Sequence, residues 1–272
     1  LTGSPNILFP VSSQGGRLRS VQAALEEGFV RSDWPLFSCE CGNETIYPTC
    51  EKCNKKTHLR SYCKVCKKVS NEKCMEHEDA SIQYLRRNLD IKYYFASAVK
   101  KLGFESFDVP SLIKGVRGLS NDRSDCEHLS KGILRAKYNL AVNKDGTVRY
   151  DATEIPLTHF KPAEIRTGIA KLRDLGYTKD INGEQLSRSD QILELMPHDV
   201  VLPSCSLTGD EKADDVFFNI ANFVDEELKR FYGLPKYYNM KSKNDLVGQL
   251  VACIAPHNCA GVVCRFIGFS NT

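Results

Sequence analysis

The sequence predicts an α+β fold in which a cysteine-rich, metal-stabilised module precedes a larger region of mixed helices and strands. Seven of the twelve cysteines lie between Cys39 and Cys74, whereas the other five are scattered through the rest of the chain. Beyond the module, apolar residues recur at both helical and alternating spacings. With 272 residues, the chain is long enough to bury a core. We divide it into an N-terminal segment (1–33), the cysteine-rich module (34–80) and an α+β region (81–272).

The cysteine distribution also indicates the cellular compartment. Paired cysteines with basic neighbours are typical of metal sites in a reducing environment, so a cytoplasmic location is expected rather than a secreted disulfide framework. The N-terminus lacks the basic and apolar runs of a signal peptide. The apolar stretch 246–269 contains His257 and Arg265, which a membrane-spanning helix would bury at high cost. It predicts a buried helix followed by a buried strand, with no membrane partner.

Two sets of close cysteine pairs predict two structural zinc ions. Each set has two ligands, a spacer of seven or eight residues and two further ligands, which suits tetrahedral Zn²⁺. The predicted ligands are Cys39, Cys41, Cys50 and Cys53 in the first set, and Cys63, Cys66, Cys74 and His77 in the second. Four protein ligands leave no open position for catalysis. Two alternatives remain: a Cys₄ iron–sulfur cluster, and a first set in which His58 replaces one of the four ligands.

The same module carries a local excess of positive charge. Eight lysines and arginines but only two acids lie between Glu51 and Lys73, although the whole chain has a net charge of only +3. Such a face can bind a phosphate backbone, or it can be a solvated surface that balances thiolate charge. The predicted DNA-binding residues are Lys55, Lys56, Lys67 and Lys68, with Arg17 and Arg19 in a Gly-Gly turn near the N-terminus.

Several secondary-structure elements follow from spacing and capping signals. Predicted helices are VQAALEEG after the cap Ser20, residues 81–103, AEIRTGIAKLRDLGY after Pro162, about 214–232, and a helix starting at a Ser242–Asp245 capping box. Predicted strands are a hairpin over 135–150 around Asp145-Gly146, then 199–203 and 261–269.

Four segments together resemble the large, catalytic subunit of the archaeal D-family DNA polymerase. The first is the pattern of two cysteine-rich knuckles between Cys39 and His77, together with the LFP…GGRLRS opening. The others are THFKPAEIRTGIAKLRDLGY (158–177), FYGLPKYYNMKSKNDLVGQLV (231–251) and APHNCAGVVCRFIGFS (255–270). The resemblance covers nearly the whole chain. It implies a template-directed polymerase built on double-psi β-barrels, the first of which would start at about 245–272. It also implies a small exonuclease subunit, a sliding clamp, DNA and Mg²⁺ as partners and cofactor.

The family's metal-binding aspartates lie in an Asp-Gly-Asp run downstream of the last segment. No Asp-x-Asp occurs among these 272 residues, so no catalytic residue is predicted here. His257 and Arg265 are predicted, by position, to lie near the active site. The chain is expected to be a fragment, from a gene split linked to an intein or from the laboratory, that needs the remaining part of the catalytic subunit. The alternative is a stand-alone zinc-stabilised module for nucleic-acid binding or subunit assembly without catalysis.

Overall fold

The computed structural model describes residues 7–118, 125–142, 157–204, 212–254 and 261–270. The chain forms two compact units of mixed helices and strands, which confirms the α+β class. Unit 1 comprises Leu1–Arg149 and Glu226–Pro235, and unit 2 comprises Tyr150–Asp225 and Lys236–Thr272. The division of the sequence at residues 33 and 80 stays a prediction.

Unit 1 holds short strands in its cysteine-rich part and helices around its core. Its helices are α1 (Val21–Glu27), α2 (Ile91–Leu102) and α3 (Leu129–Lys137). Its strands are β1 (Phe29–Pro35), β2 (Phe37–Ser38), β3 (Glu44–Thr45), β4 (His58–Leu59), β5 (Ser61–Cys63), β6 (Val69–Ser70), β7 (Ser81–Ile82) and β8 (Tyr84–Asp90). Three sheets result, in the orders β1-β8, β3-β2-β4 and β6-β5-β7.

The core of unit 1 contains aromatic and aliphatic side chains from most of these elements. Phe9 and Trp34 are almost completely buried, and their ring centroids lie 5.6 Å apart. The prediction for α1 is confirmed, because Ser20 Oγ accepts a hydrogen bond from the Ala23 backbone N–H and Gly28 ends the helix in a left-handed conformation.

The predicted helix over 81–103 is wrong in its first half. Residues 84–90 form β8, which pairs antiparallel with β1 along seven residues. Only from Ile91 does the chain become helical, with the Asp90 carboxylate accepting hydrogen bonds from the backbone N–H groups of Lys92 and Tyr93. The apolar spacing before Asp90 fitted a helix, but pairing with a distant strand overrides local periodicity. Gly103 ends the helix as predicted.

The predicted hairpin over 135–150 is also wrong where it can be compared. Residues 135–137 are the last turn of α3, and residues 138–142 form no strand. The remaining residues of that prediction, with the Asp145-Gly146 turn, lie outside the described residues.

Unit 2 combines a three-stranded mixed sheet with one short and one long helix. Its helices are α4 (Ile169–Asp174) and α5 (Ala213–Glu226); the single π-helical turn that follows α5 (Glu227–Phe231) belongs to unit 1. Its strands are β9 (His159–Phe160), β10 (Leu193–Glu194), β11 (Asp199–Pro203), β12 (Leu250–Ile254) and β13 (Gly261–Ser270). Strand β13 lies in the centre, parallel to β11 and antiparallel to β12. These strands form no closed barrel within the described residues.

Several predictions in unit 2 hold and two need correction. Strands at 199–203 and 261–269, the long helix near 214–232 and the Ser242–Asp245 capping box are confirmed. The helix expected after Pro162 begins only at Ile169, because the preceding backbone is tied to β13. The stretch from Leu246 is not a helix followed by a strand. In place of the helix predicted to start at Ser242, a 3₁₀ turn (Lys243–Leu246) leads into β12, and Val262 and Val263 are exposed.

Gly268 lets the segment around Arg166 lie directly against β13. A Cβ on Gly268 would come within 2.5 Å of the Ile165 carbonyl oxygen and 2.7 Å of Thr167 Oγ1. The Phe269 N–H donates to Ile165 O, and Thr167 Oγ1 donates to Ile267 O at 2.6 Å. Only glycine allows this approach, so residues 165–167 are held on the sheet.

No described helix combines the length and the apolar content that crossing a bilayer requires.

Candidate metal centres

Two knuckle-shaped turns present the second cysteine pair of the first cluster and the first pair of the second. In both, the N–H of the leading cysteine donates to the carbonyl five residues later (Cys50 to Lys55, Cys63 to Lys68). In both, the residue four positions on, Asn54 or Lys67, donates back to the leading cysteine and has a left-handed φ of 58°. The repeated CxxC spacing therefore produces one backbone geometry twice.

The first cluster consists of Cys39, Cys41, Cys50 and Cys53. Cys39 directly follows β2, and Gly42, at φ 84°, turns the chain so that its N–H donates to Cys39 O. The Cys39 and Cys53 sulfurs lie 3.3 Å apart, and those of Cys41 and Cys50 lie 3.7 Å apart. A tetrahedral Zn²⁺ with bonds of about 2.3 Å separates its sulfur ligands by about 3.8 Å. The Cys41–Cys50 separation matches this value, and the Cys39–Cys53 separation is about 0.5 Å shorter.

The second cluster consists of Cys63, Cys66, Cys74 and His77. Cys66 Sγ lies 3.9 Å from Cys74 Sγ and 3.3 Å from His77 Nδ1, and Cys74 Sγ lies 3.7 Å from the same ring nitrogen. Cys63 ends β5, so the sheet β6-β5-β7 fixes its position. Imidazole nitrogen replaces one thiolate at a separation that tetrahedral coordination also allows.

Each cluster brings four ligand atoms within 4.8 Å of one another, and each could hold a metal ion. His58 is not a member of either group; it lies on β4, paired with Ser38 of β2. That the eight residues bind zinc stays a prediction, as does the choice of zinc over iron.

Backbone and side-chain donors surround the sulfurs. Asn43 Nδ2 donates to Cys50 Sγ at 3.6 Å and to Glu51 Oε1 at 3.0 Å. Tyr93 on α2 donates its hydroxyl to the same Glu51 oxygen at 3.1 Å, so the first cluster is linked to the helix behind it. At the second cluster, the Cys66 N–H donates to Cys63 Sγ, and the Cys74 N–H donates to Ser81 Oγ. These contacts orient the ligands.

The thiols within a cluster differ in acidity. Burial raises the pKa of Cys50, but hydrogen bonds from the Cys53 and Lys52 backbone outweigh it and lower that pKa to about 7. The Cys66 backbone N–H likewise lowers the pKa of Cys63. Hydrogen bonds with the Cys63 and Cys74 sulfurs raise the pKa of Cys66 to about 11. Three or four thiolates this close repel one another, and a divalent cation removes that repulsion.

The predicted DNA-binding lysines are all exposed on the knuckles. Lys55 forms a long ion pair with Glu40 at 3.7 Å. Lys56, Lys67 and Lys68 form no ion pair with any described residue. Arg17 is exposed, and Arg19 is half-buried with a left-handed φ of 55°. The turn that carries them is closed by a hydrogen bond from the Ser20 N–H to Gly15 O. DNA binding by these six residues stays a prediction.

Arg265 makes a two-point ion pair with a carboxylate on the neighbouring strand. Its Nε and Nη2 lie 2.8 Å from the two oxygens of Asp199, which is opposite Arg265 in the register of β11 and β13. The Tyr177 hydroxyl donates to the same carboxylate at 2.6 Å. Arg265 is therefore already paired in this fold, and its proximity to an active site stays a prediction. His257 lies outside the described residues.

Sequence reasoning missed the residues that support the ligands. The side chains of Asn43 and Ser81 contact Cys50 and Cys74, and nothing in the sequence spacing indicates these contacts. Asn54 could have been recognised, because asparagine tolerates a left-handed φ at the end of a CxxC turn. Lys67 could not, since lysine has no such preference.

The sequence matches two models of known protein families. The family model described as "DNA polymerase II large subunit DP2, catalytic domain" matches residues 106–272, and the one described as its "central domain" matches residues 1–72. The chain belongs to the DNA polymerase II large subunit family. The central-domain match contains the whole first cluster and the first cysteine pair of the second, Cys63 and Cys66. The sheet around β13 lies inside the catalytic-domain match.

Curated DNA polymerase II large subunits align along nearly the whole chain. The protein from Nanoarchaeum equitans is 42% identical over 307 residues, which cover 99% of this chain and 24% of the relative. That from Archaeoglobus fulgidus is 39% identical over 278 residues, covering 98% of this chain and 23% of the relative. The relative from Thermococcus kodakarensis is 38% identical, with 97% of this chain and 15% of the relative covered. The chain thus spans about a quarter or less of these relatives.

Proposed function

We propose that this chain is part of the catalytic subunit of a template-directed DNA polymerase, in which it supplies two structural zinc sites, a DNA contact surface and part of the polymerase core. Membership of the DNA polymerase II large subunit family carries this proposal. The reaction is nucleotidyl transfer during DNA replication. Mg²⁺, held by carboxylates, stabilises the attacking and leaving oxygens in such transfers.

The donor chemistry supports zinc at both clusters. Three or four thiolates with at most one imidazole are soft to borderline ligands in a compact tetrahedron, which Zn²⁺ prefers and Mg²⁺ does not. All four positions are protein ligands, so each ion would be structural. The second cluster is surrounded by exposed side chains, among them Val65, Val69 and Met75. With so little apolar burial, its fold depends on the metal.

Charge supports DNA contact by the knuckles. Lys56, Lys67 and Lys68 are exposed cations without an ion-pair partner among the described residues, so each is available to a phosphate. Neutralising phosphates releases counterions, and affinity then falls steeply as salt rises. Replacing Lys55, Lys56, Lys67 and Lys68 together by glutamine should abolish most of this binding in a filter-binding titration. Binding that is indifferent to salt or to the four replacements contradicts the assignment.

The ribbon formed by β12 and β13 supports a role in a larger barrel. Leu250, Val262 and Val263 are at least half exposed although they are apolar. A strand pair with apolar residues facing solvent is suited to pack against further strands. We assign these strands to the start of a double-psi β-barrel that the remaining part of the catalytic subunit completes. The small exonuclease subunit and the sliding clamp complete the proposed assembly.

Primer extension tests the activity. With Mg²⁺, a primed DNA template and deoxynucleotides, the 272-residue chain alone should not extend the primer, because its sequence has no Asp-x-Asp run. The complete large subunit with its small subunit should extend it. Extension by this chain alone contradicts the proposal, and so does a complete complex that binds primed DNA without extending it.

The absence of an Asp-x-Asp run from the sequence also favours a second candidate, a zinc-stabilised module for nucleic-acid binding or subunit assembly that has no part in catalysis. The two candidates differ in one measurement. In the complete complex, the zinc-ligand variant Cys74→Ser should lower the extension rate under the first. Under the second, it should weaken DNA binding or assembly alone and leave the rate at saturating DNA unchanged.

A further inference from the structure

A polar cleft of about 540 Å³ lies in unit 2 between the segment that leads into α4 and the segment that leads into β12. Three cationic side chains line it, from Arg166, Lys171 and Lys241, together with the carboxylate of Asp245. None of the three cations forms an ion pair within the described part of the chain. The cleft is thus lined by unpaired positive charge, as an anion site requires.

The single acid in the cleft is bound to the backbone. Asp245 Oδ2 accepts hydrogen bonds from the N–H groups of Lys241 and Ser242 at 2.8 and 2.9 Å. These donors, Ser242 first, lower the pKa of Asp245. Its charge therefore stabilises the turn before β12, and it makes no salt bridge with Lys241.

One wall of the cleft is fixed at Arg166. Its neighbours Ile165 and Thr167 are each hydrogen-bonded to β13, and Arg166 between them adopts a left-handed φ of 56°. Such a conformation is costly for a residue other than glycine or asparagine, and it concentrates at functional sites. The Lys171 ammonium lies 3.5 Å from where a Cβ on Gly248 would stand, an ordinary van der Waals distance, and it is the φ of 99° that favours glycine at this position.

The opposite wall ends in a rigid aromatic loop. The buried Asp225 carboxylate accepts hydrogen bonds from three successive N–H groups, those of Tyr237, Tyr238 and Asn239, at 2.7–2.8 Å. Tyr238 and Asn239 line the cleft, and Asn239 also has a left-handed φ, of 50°. The Tyr237 ring packs edge-to-face on the Tyr238 ring at 5.0 Å and is 74% exposed.

We propose that this cleft binds a nucleotide unit of single-stranded nucleic acid, with its phosphate at Arg166, Lys171 and Lys241 and its base stacked on Tyr237. A groove of positive charge beside an exposed, rigidly held aromatic ring is the combination that sequence-independent single-strand sites use. Asn239, Asn244 and Gln249 add neutral hydrogen-bonding groups for sugar or base. The proposal rests on the proposed function only for its ligand class, nucleic acid.

Fluorescence anisotropy tests the site, using the full chain and a fluorescein-labelled oligothymidylate of about 12 nucleotides at low salt. All measurements use the background Lys55→Gln, Lys56→Gln, Lys67→Gln and Lys68→Gln, which removes the basic face of the knuckles. Tyr237→Ala should weaken binding about tenfold, because one stacked base is lost. Lys171→Gln with Lys241→Gln should weaken binding and reduce the salt slope by about 0.7 for each lost phosphate contact.

Matched controls separate the cleft from general surface effects. Phe107→Ala removes another exposed aromatic ring, and Lys179→Gln removes another exposed lysine of unit 2 outside the cleft. Both should leave binding unchanged. If either control weakens binding as much as its cleft counterpart, or if Tyr237→Ala has no effect, the proposal is overturned.

Hydrogen exchange gives a second readout that does not depend on variants. Oligothymidylate should slow amide exchange in residues 236–247 of the parent chain. A free nucleoside triphosphate carries the same phosphate chemistry, so dTTP is the parallel arm. Protection by oligothymidylate but not by dTTP supports a strand site, and protection by dTTP alone overturns it. Neither arm requires catalysis, so a failed primer-extension assay does not affect this result.

Discussion

The two metal clusters share one backbone turn but differ in what surrounds it. In the first cluster, Cys50 is fully buried, and the turn is linked through Glu51 and Asn54 to Tyr93 and Lys101 of α2. In the second, no thiol except Cys63 is buried, and Met75 between two ligands is 96% exposed.

The same turn is supported by core packing in the first cluster and lacks that support in the second. Around the first cluster, Ile46 and Tyr47 are buried, and the Tyr47 ring stacks on His128 with centroids 4.5 Å apart. Burial lowers the pKa of His128 to about 3, so this ring stays neutral, and its Nδ1 accepts a hydrogen bond from the Ser130 backbone N–H at the start of α3. The first cluster is thus continuous with the core of unit 1, whereas the second is supported only by its ligands and the short sheet β6-β5-β7.

Ligand removal is the strongest test of this contrast. Cys50→Ser should lose one metal ion and lower the melting temperature of unit 1 as a whole, since metal binding contributes on the order of 10 kcal/mol to small zinc folds. Cys74→Ser should also lose one ion but increase hydrogen exchange only in residues 63–82. Elemental analysis, calorimetry and exchange mass spectrometry measure these outcomes.

Cys126→Ser is the matched control, because Cys126 is a buried cysteine that belongs to neither cluster. It should keep two zinc equivalents per chain, as should the parent protein purified without added metal. One equivalent or fewer in the parent would contradict two structural sites. Equal and chain-wide destabilisation by Cys50→Ser and Cys74→Ser would show that burial does not distinguish the clusters.

Metal release should follow the same order. A chromophoric chelator in excess should remove the ion of the second cluster at least about tenfold faster, because its ligands are closer to solvent and less supported by packing. Absorbance should therefore rise in two phases of equal amplitude. The fast phase should be absent from Cys74→Ser and the slow phase from Cys50→Ser; a single phase in the parent chain would contradict the contrast.

The clusters should also differ in their contribution to DNA binding. Lys55 is partly neutralised by Glu40, whereas Lys67 and Lys68 of the second cluster have no such partner among the described residues. Lys67→Gln with Lys68→Gln should reduce the salt slope by about 1.8, if both contact phosphates of duplex DNA. Lys55→Gln with Lys56→Gln should reduce it less. The reverse order in a salt titration would reject the contrast.

The smallest effect concerns the left-handed residue of each turn. Asn54 and Lys67 share a φ of 58°, but lysine tolerates this region less well than asparagine. Lys67→Asn should therefore tighten zinc binding by the second cluster by up to about 1 kcal/mol. Asn54→Lys should weaken zinc binding by the first cluster by a similar amount. Competition with a chelator of known affinity measures both, and no change in either would mean that the metal, rather than φ, sets the turn.

Predictions based on helix-capping signals held. Helix α1 begins after Ser20 and ends at Gly28, Gly103 ends α2, and Ser242 forms a capping box with Asp245. Each of these signals acts through hydrogen bonds between residues a few positions apart. The eight candidate ligands were identifiable for the same reason. A CxC, CxxC or CxxH spacing brings two ligands together locally, and only the pairing of one half-site with the next requires the fold.

Predictions that depended on distant partners failed. The sequence from Tyr84 to Asp90 fits a helical period, but it forms a strand because β1, some fifty residues earlier, offers seven pairing positions. The helix expected after Pro162 starts late because Ile165 and Thr167 are hydrogen-bonded to β13, a hundred residues further on. Local spacing contains no information about either partner.

By itself, then, the sequence determined the family, the two candidate ligand sets and several helix ends, since these depend on residue identity and short spacing. The tertiary structure alone decided which cluster is buried, how Arg265 is paired with Asp199, and how Arg166, Lys171 and Lys241 come to line one cleft. The physical reason is the same in each case. Burial, ion pairing and convergence of like charges are set by chain segments that meet only after long loops have closed.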